Sequence, residues 1–201
     1  MNDTIRFIAD ATTVVTGVVR GCAGAAPSSS TPCGEFDLAA LVNHMAGTTG
    51  ALADVGEGRP LDPEDPWGSR TEIAAADWPQ ALADRLARLG AVWSRKETWE
   101  GTVAIGDSEM PASSIGDTAF IEVLVHGWDL ARTTGQALDV PADMAAELRR
   151  VVEETADLGR QLGAYGEQVL VPETASDIDV ALGAAGRDPA WTPQRAVGQD
   201  L

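Results

Sequence analysis

The stretch FIEVLVHGWDLARTTGQ, residues 120–136, sets Glu122 and His126 four residues apart inside an apolar run. On a helix that spacing puts both side chains on one face, about a turn apart. A carboxylate and an imidazole so placed can ligate one divalent ion, or form an ordinary ion pair. The chain has one other histidine, His44, three residues after Leu41 and next to Met45, again within an apolar pattern. A histidine or glutamate half buried among apolar neighbours must find partners for its polar atoms. One divalent ion would serve all three. Two imidazoles and one carboxylate form the kind of three-ligand set that catalytic zinc sites use, with positions left for water or substrate. From the residues alone, the alternative is a hydrogen-bonded Glu–His pair and a satisfied core histidine.

Four neighbours bear on the choice. Asp129, three residues after His126, either orients a ligand or is a helix-surface carboxylate with Arg132 as its cation. Cys33 stands just before the segment that carries His44. It is read as a small residue filling a tight loop in preference to a reactive thiol near the metal. Trp128 is read as core or pocket wall. Asn43 points about 100° away from its neighbour on a helix and receives no catalytic role.

The elements that must hold these residues are helical. DTIRFIADATTVVTGVVR (3–20) spaces Ile5, Ile8, Thr12, Val15 and Val19 at threes and fours, the stripe of an amphipathic helix. FDLAALVNHMAGTTGALADVG predicts a second helix, with Asp37 favouring its start and an end near Gly56. EGRPLDPEDPWGSR is loop by its prolines and charges. A third helix opens at Asp77-Trp78-Pro79-Gln80, with Asp77 as N-cap, and carries Leu82, Leu86, Leu89, Val92 and Trp93. ETWEGTVAIGDSEMPA is read as a loop or small hairpin. The fourth helix runs from Ser113 or Ser114 to Gly135. The fifth, about 141–163, carries Met144, Leu148, Val151, Val152, Ala156 and Leu158, and a short last helix is expected near 179–186. Five helical patterns without a βαβ rhythm argue for an all-α bundle. It is expected to form a single domain over 1–201, with the bundle over about 3–163 and an irregular C-terminal extension over about 164–201.

Composition excludes several function classes. Fourteen basic against 31 acidic residues give a formal charge of −17, which repels nucleic acid and anionic membrane. No apolar run approaches the roughly 18 residues of a spanning helix, and MNDTIRF lacks signal-peptide order, so a cytoplasmic location is expected. Cys22 and Cys33 flank a Gly/Pro/Ser-rich loop, but a cytosolic chain of this size keeps such thiols reduced.

Three stretches carry a family resemblance: TPCGEFDLAALVNHMAG (31–47), EVLVHGWDLARTTGQ (122–136) and YGEQVLVPETASDIDVALGAAGRDPAW (165–191). With these the chain resembles the DinB-like superfamily of metal-binding four-helix bundles. Within that superfamily it resembles the actinobacterial mycothiol-dependent maleylpyruvate isomerase metal-binding domain family. The resemblance implies a divalent metal, usually zinc, held by His44, Glu122 and His126, with nickel or another divalent ion as alternatives. It also implies mycothiol as a low-molecular-weight thiol cosubstrate beside a small-molecule substrate, and a homodimer is one assembly compatible with it. In the isomerase a C-terminal domain adds to the active site. The 201 residues leave no obvious room for one, so the bundle and ligands are expected to serve another substrate.

Three functions fit. The first is thiol-dependent transfer or isomerisation on a small electrophile, since zinc in an open site can favour a bound thiolate. The second is metal-dependent hydrolysis through a water of lowered pKa, which needs a separate acid or base. The third is a non-catalytic protein in which the ion pins two helices.

Overall fold

Periodic burial of leucine, valine and alanine drives the helices together, and the computed structural model has six of them among the residues it describes. These are residues 3–193 apart from 23, 35, 63, 76, 106 and 107. Glu35 of the TPCGE motif and residues 194–201 of the expected C-terminal extension lie outside the described residues. The elements are α1 (Ile8–Arg20), α2 (Leu38–Gly56), α3 (Trp78–Trp93), β1 (Thr102–Ile105), β2 (Ser108–Pro111), α4 (Ala112–Thr133), α5 (Ala142–Gln161) and α6 (Asp177–Ala184).

The first four helices close a ring: α1 packs on α3 and α4, and α2 packs on the same two. Spatial order around the bundle is therefore α1, α3, α2, α4, which makes α2 and α4 direct neighbours although 55 residues separate their ends. The expected all-α four-helix bundle is thus the observed fold. The fifth helix does not join the ring; it pairs with α6 and touches α4. Inside the ring, Leu41, Leu82, Leu86, Phe120 and Leu124 are completely buried. Two indoles are satisfied: buried Trp93 Nε1 donates to the Leu52 carbonyl at 3.0 Å, and half-buried Trp99 Nε1 to that of Trp93 at 2.7 Å.

Helix boundaries follow the local chemistry. Asp37 caps α2, accepting from the Ala40 amide at 2.9 Å. Gly135, at φ 69°, ends the chain's turn out of α4, a conformation costly for other residues. Three expectations are corrected. The first helix starts at Ile8, because residues 3–6 form a separate 3₁₀ turn. That turn buries Thr4, whose hydroxyl lies 2.7 Å from both Asp117 and Glu147. Asp77 precedes α3 but makes no side-chain cap. Leu158 faces outward, 52% exposed. β1 and β2 pair antiparallel, as the small-hairpin reading expects, with Thr102 opposite Pro111 and Val103 opposite Met110. Cys22 and Cys33 are not joined in a disulfide. No described helix is long and apolar enough to cross a membrane.

Candidate metal centre

Because α2 and α4 are neighbours in the ring, their inward polar residues meet. His44 Nε2 stands 3.2 Å from Glu122 Oε2, and His126 Nε2 stands 3.5 Å from the same oxygen. The two imidazole centroids are 4.7 Å apart in a T-shaped arrangement. All three side chains offer ligand atoms within 4.8 Å of one another. The three residues singled out by spacing are therefore brought together.

The donor set can be tested against a small divalent ion. Ligand bonds of about 2.0–2.1 Å at tetrahedral angles place donor atoms about 3.3 Å apart. The observed 3.2 and 3.5 Å from Glu122 Oε2 to the two imidazole nitrogens match that spacing. Two neutral imidazoles with one carboxylate are also the donor types a borderline-soft ion takes. Burial pushes the Glu122 carboxyl up, but the hydrogen bond from His44 and the electrostatic field of the two imidazoles and Arg187 outweigh it, and its pKa is lowered. Glu122 is accordingly held as an anion between two nitrogens.

Asp129 is where the second pattern resolves. It is fully buried, so the helix-surface reading fails. His126 Nδ1 lies 2.9 Å from Asp129 Oδ2. The carboxylate also accepts from Arg187, by Nε at 3.2 and 3.3 Å and by Nη2 at 3.1 Å. Paired with a guanidinium, Asp129 acts as an acceptor, which assigns the imidazole hydrogen to Nδ1 and leaves the Nε2 lone pair facing Glu122. Arg132, the cation expected beside Asp129, instead donates to the Trp191 carbonyl and lies over the Trp128 ring. Trp128 is 8% exposed, as core or pocket wall requires.

Two further residues close the site. Cys33 lies in a tight turn against it: its sulfur is within 4.8 Å of ligand atoms of His126 and Asp129. Thr31 holds that turn by donating to the carbonyls of Cys33 and Phe36 at 2.8 and 2.7 Å. Phe36 then sets its ring 5.0 Å from that of His44 and 6.5 Å from that of His126. Asn43 turns away as expected, and its Oδ1 accepts from the amides of Ile73 and Ala74 at 2.7 and 3.0 Å, pinning the loop before α3. Sequence reasoning missed Arg187 and Phe36. Each lay within a stretch recognised as motif, but neither has a spacing relation to the histidines.

An all-α bundle that gathers His, Glu and His from two facing helices defines a class: helical bundle proteins with a candidate divalent-metal centre. Within that class the relationship is specific. Residues 8–131, more than half of the chain, match the family described as mycothiol maleylpyruvate isomerase N-terminal domain, and the chain belongs to that family. An uncharacterized protein of Mycobacterium tuberculosis, Rv0738 in strain H37Rv and MT0763 in strain CDC 1551, is 27% identical over 137 residues. That match covers 68% of this chain and 69% of the relative. A crystal structure of the mycothiol-dependent maleylpyruvate isomerase superposes with TM-score 0.62 at 19% identity, covering 99% of this chain and 94% of that one. A histidine-to-alanine mutant of the isomerase superposes with TM-score 0.56 at 20% identity, over 96% of this chain and 80% of that one. The expected shortfall in length against the isomerase is therefore corrected: the fold likeness extends through the segment after α5.

Proposed function

We propose that His44, Glu122 and His126 hold one divalent metal ion, zinc in the first place, and that the protein is a mycothiol-dependent isomerase or transferase acting on a small electrophile. The observation that carries the reading is the convergence of two imidazole nitrogens from different helices on one Glu122 oxygen, at 3.2 and 3.5 Å. Bound there, the ion supplies Lewis acidity that favours the thiolate form of a thiol placed against it. The chain's own residues do the rest. Asp129 holds the hydrogen on His126 Nδ1, so Nε2 is available as a ligand. Phe36 lies beside both imidazoles and keeps water from their faces. Arg187 is the cation beside Asp129, and its charge also reaches Glu122, offsetting the anionic character of a chain with net charge −17. Membership in the mycothiol maleylpyruvate isomerase family supports the thiol as cosubstrate.

Metal content per chain, measured by inductively coupled plasma mass spectrometry on wild type and His126→Ala purified identically, tests the reading. About one equivalent of zinc in the wild type and little in the variant is the expected result. Little metal in either after zinc addition and desalting refutes it. Turnover of maleylpyruvate-like electrophiles with and without mycothiol then separates thiol-dependent chemistry from a metal that only joins two helices.

A further inference from the structure

The residue that organises His126 comes from outside the four-helix ring. After α6 the chain turns at Gly186, whose φ of 81° and contact with the Gly166 backbone leave no room for a side chain. The Arg187 amide donates back to the Leu182 carbonyl at 2.8 Å, so the point at which this side chain leaves the backbone is fixed. Its guanidinium is held at the far end too: Nη1 donates to the Ala185 carbonyl at 3.2 Å, while Nε and Nη2 grip Asp129. Arg187 is 7% exposed and Asp129 is fully buried, so this pair is not a solvated surface contact. Asp129 Oδ2 receives both Arg187 Nη2, at 3.1 Å, and His126 Nδ1, at 2.9 Å. One oxygen thus links the tail of the chain to an imidazole of the candidate metal centre.

We propose that Arg187 is a positioning residue of this centre: by clamping Asp129 it fixes the ring of His126 with its hydrogen on Nδ1 and the Nε2 lone pair turned toward Glu122 and His44. The inference rests on the metal reading above for its consequence, though not for the ring placement itself. A planar fork with several donors can hold a carboxylate against rotation, where a single ammonium cannot. Without the clamp, Nδ1 loses its fixed acceptor, and the ring can turn or shift its hydrogen to Nε2, the atom a metal needs. His44 makes no such contact among the described residues; its Nε2 meets Glu122 directly. The effect of Arg187 is therefore specific to one of the two histidines.

Two readouts on the full chain test this. Long-range proton–nitrogen correlation spectra of the histidine rings, recorded on metal-free protein, are expected to show His126 as a single Nδ1–H tautomer in the wild type. In Arg187→Gln a mixture is expected, with the His44 signals unchanged. Zinc affinity, by competition with a chromophoric chelator, is expected to fall about 10- to 100-fold in Arg187→Gln and less in Arg187→Lys. Arg187→Lys keeps the buried charge paired and carries both comparisons if the neutral variant does not fold. Arg132→Ala, which removes the other strap between tail and α4 at the Trp191 carbonyl, is expected to leave both readouts near wild type. A wild-type tautomer and wild-type zinc affinity in the Arg187 variants overturn the proposal, as does an equal loss in Arg132→Ala. A wild type that binds no zinc refutes the metal reading alone, and the metal-free spectra still decide whether Arg187 places His126.

Discussion

Replacing Gly127 by alanine adds one methyl group where α4 crosses α1. An ideal Cβ at that position meets Val15 Cγ2 at 2.4 Å and Cγ1 at 3.1 Å, against about 3.5–4.0 Å for relaxed carbon contacts. Val15 is completely buried and has no open space to turn into, so either it leaves its rotamer or the two helices separate by about 1 Å. Overpacking of this kind costs about 1–3 kcal/mol. Helix propensity acts in the other direction, since alanine is favoured over glycine by about 1 kcal/mol in a helix interior. Gly17, exposed on α1 with nothing within 4 Å of an ideal Cβ, isolates that gain.

Gly17→Ala is therefore expected to stabilise the protein by up to about 1 kcal/mol, and Gly127→Ala to fall below it by the overpacking cost of about 1–3 kcal/mol. For a chain of this size that gap is about 2–12 °C in melting temperature. Urea denaturation of both variants, of Val15→Ala and of Gly127→Ala/Val15→Ala completes a cycle, and removal of the Val15 methyls should relieve the clash with a coupling of about 1 kcal/mol or more. Because Gly127 follows His126, zinc affinity is also expected to drop in Gly127→Ala and to stay unchanged in Gly17→Ala. Equal stability of the two alanine variants, or simple additivity in the double variant, would refute the packing argument.

Three other outcomes are expected. Asp129→Ala strands the buried Arg187 guanidinium and should cost about 3–5 kcal/mol in urea denaturation, with part of the loss recovered by adding Arg187→Met; no recovery would mean that the pair is not the source. Alkylation in native buffer followed by mass spectrometry should label Cys33 alone, because Cys22 is 3% exposed and burial raises its thiol pKa. Both cysteines should label in urea, and native labelling of Cys22 would contradict the packing at the end of α1. Hydrogen bonds from Arg150 and Thr4 outweigh burial and hold the Glu147 carboxyl below its ordinary range. A lowered folded-state pKa adds stability above the unfolded value, about 4.3, and loses it as pH falls through the folded value. The gap in stability between wild type and Arg150→Met, about 1 kcal/mol at neutral pH, should therefore shrink on acidification, and a gap that widens would reverse the assignment.

Long periodic segments were legible because an amphipathic stripe has one cheap solution, burial of that stripe against another helix. The histidines and Glu122 were legible for a related reason: polar groups set among residues that must be buried need partners, and i, i+4 spacing gives two of them a common direction. Asp129 shows where such reasoning stops. An i, i+3 rule pairs it with Arg132, yet helix rotation turns Asp129 inward with His126, and the available cation lies 58 residues on. No period relates Asp129 to Arg187; only the path of the chain after α5 does. Cys33 is read by residue size and loop tightness, and no spacing rule shows that its turn also lies against His126 and Asp129.

Residues 8–131, the part that matches the family, contain all three ligand candidates and Asp129, but Arg187 lies beyond them. The His44–Glu122–His126 triad is thus built by the ring of four helices alone, because α2 and α4 meet there whatever follows. His126 is braced separately, by a segment that docks after α5 through Arg187 on Asp129 and through Arg132 on Trp191. Under the metal reading proposed above, a bundle that keeps the triad and changes its tail would keep the donor set while altering how tightly His126 is held and what stands beside it. On this reasoning, differences in substrate among such bundles are to be sought in the tail and in the Cys33–Phe36 turn, not among the ligands themselves.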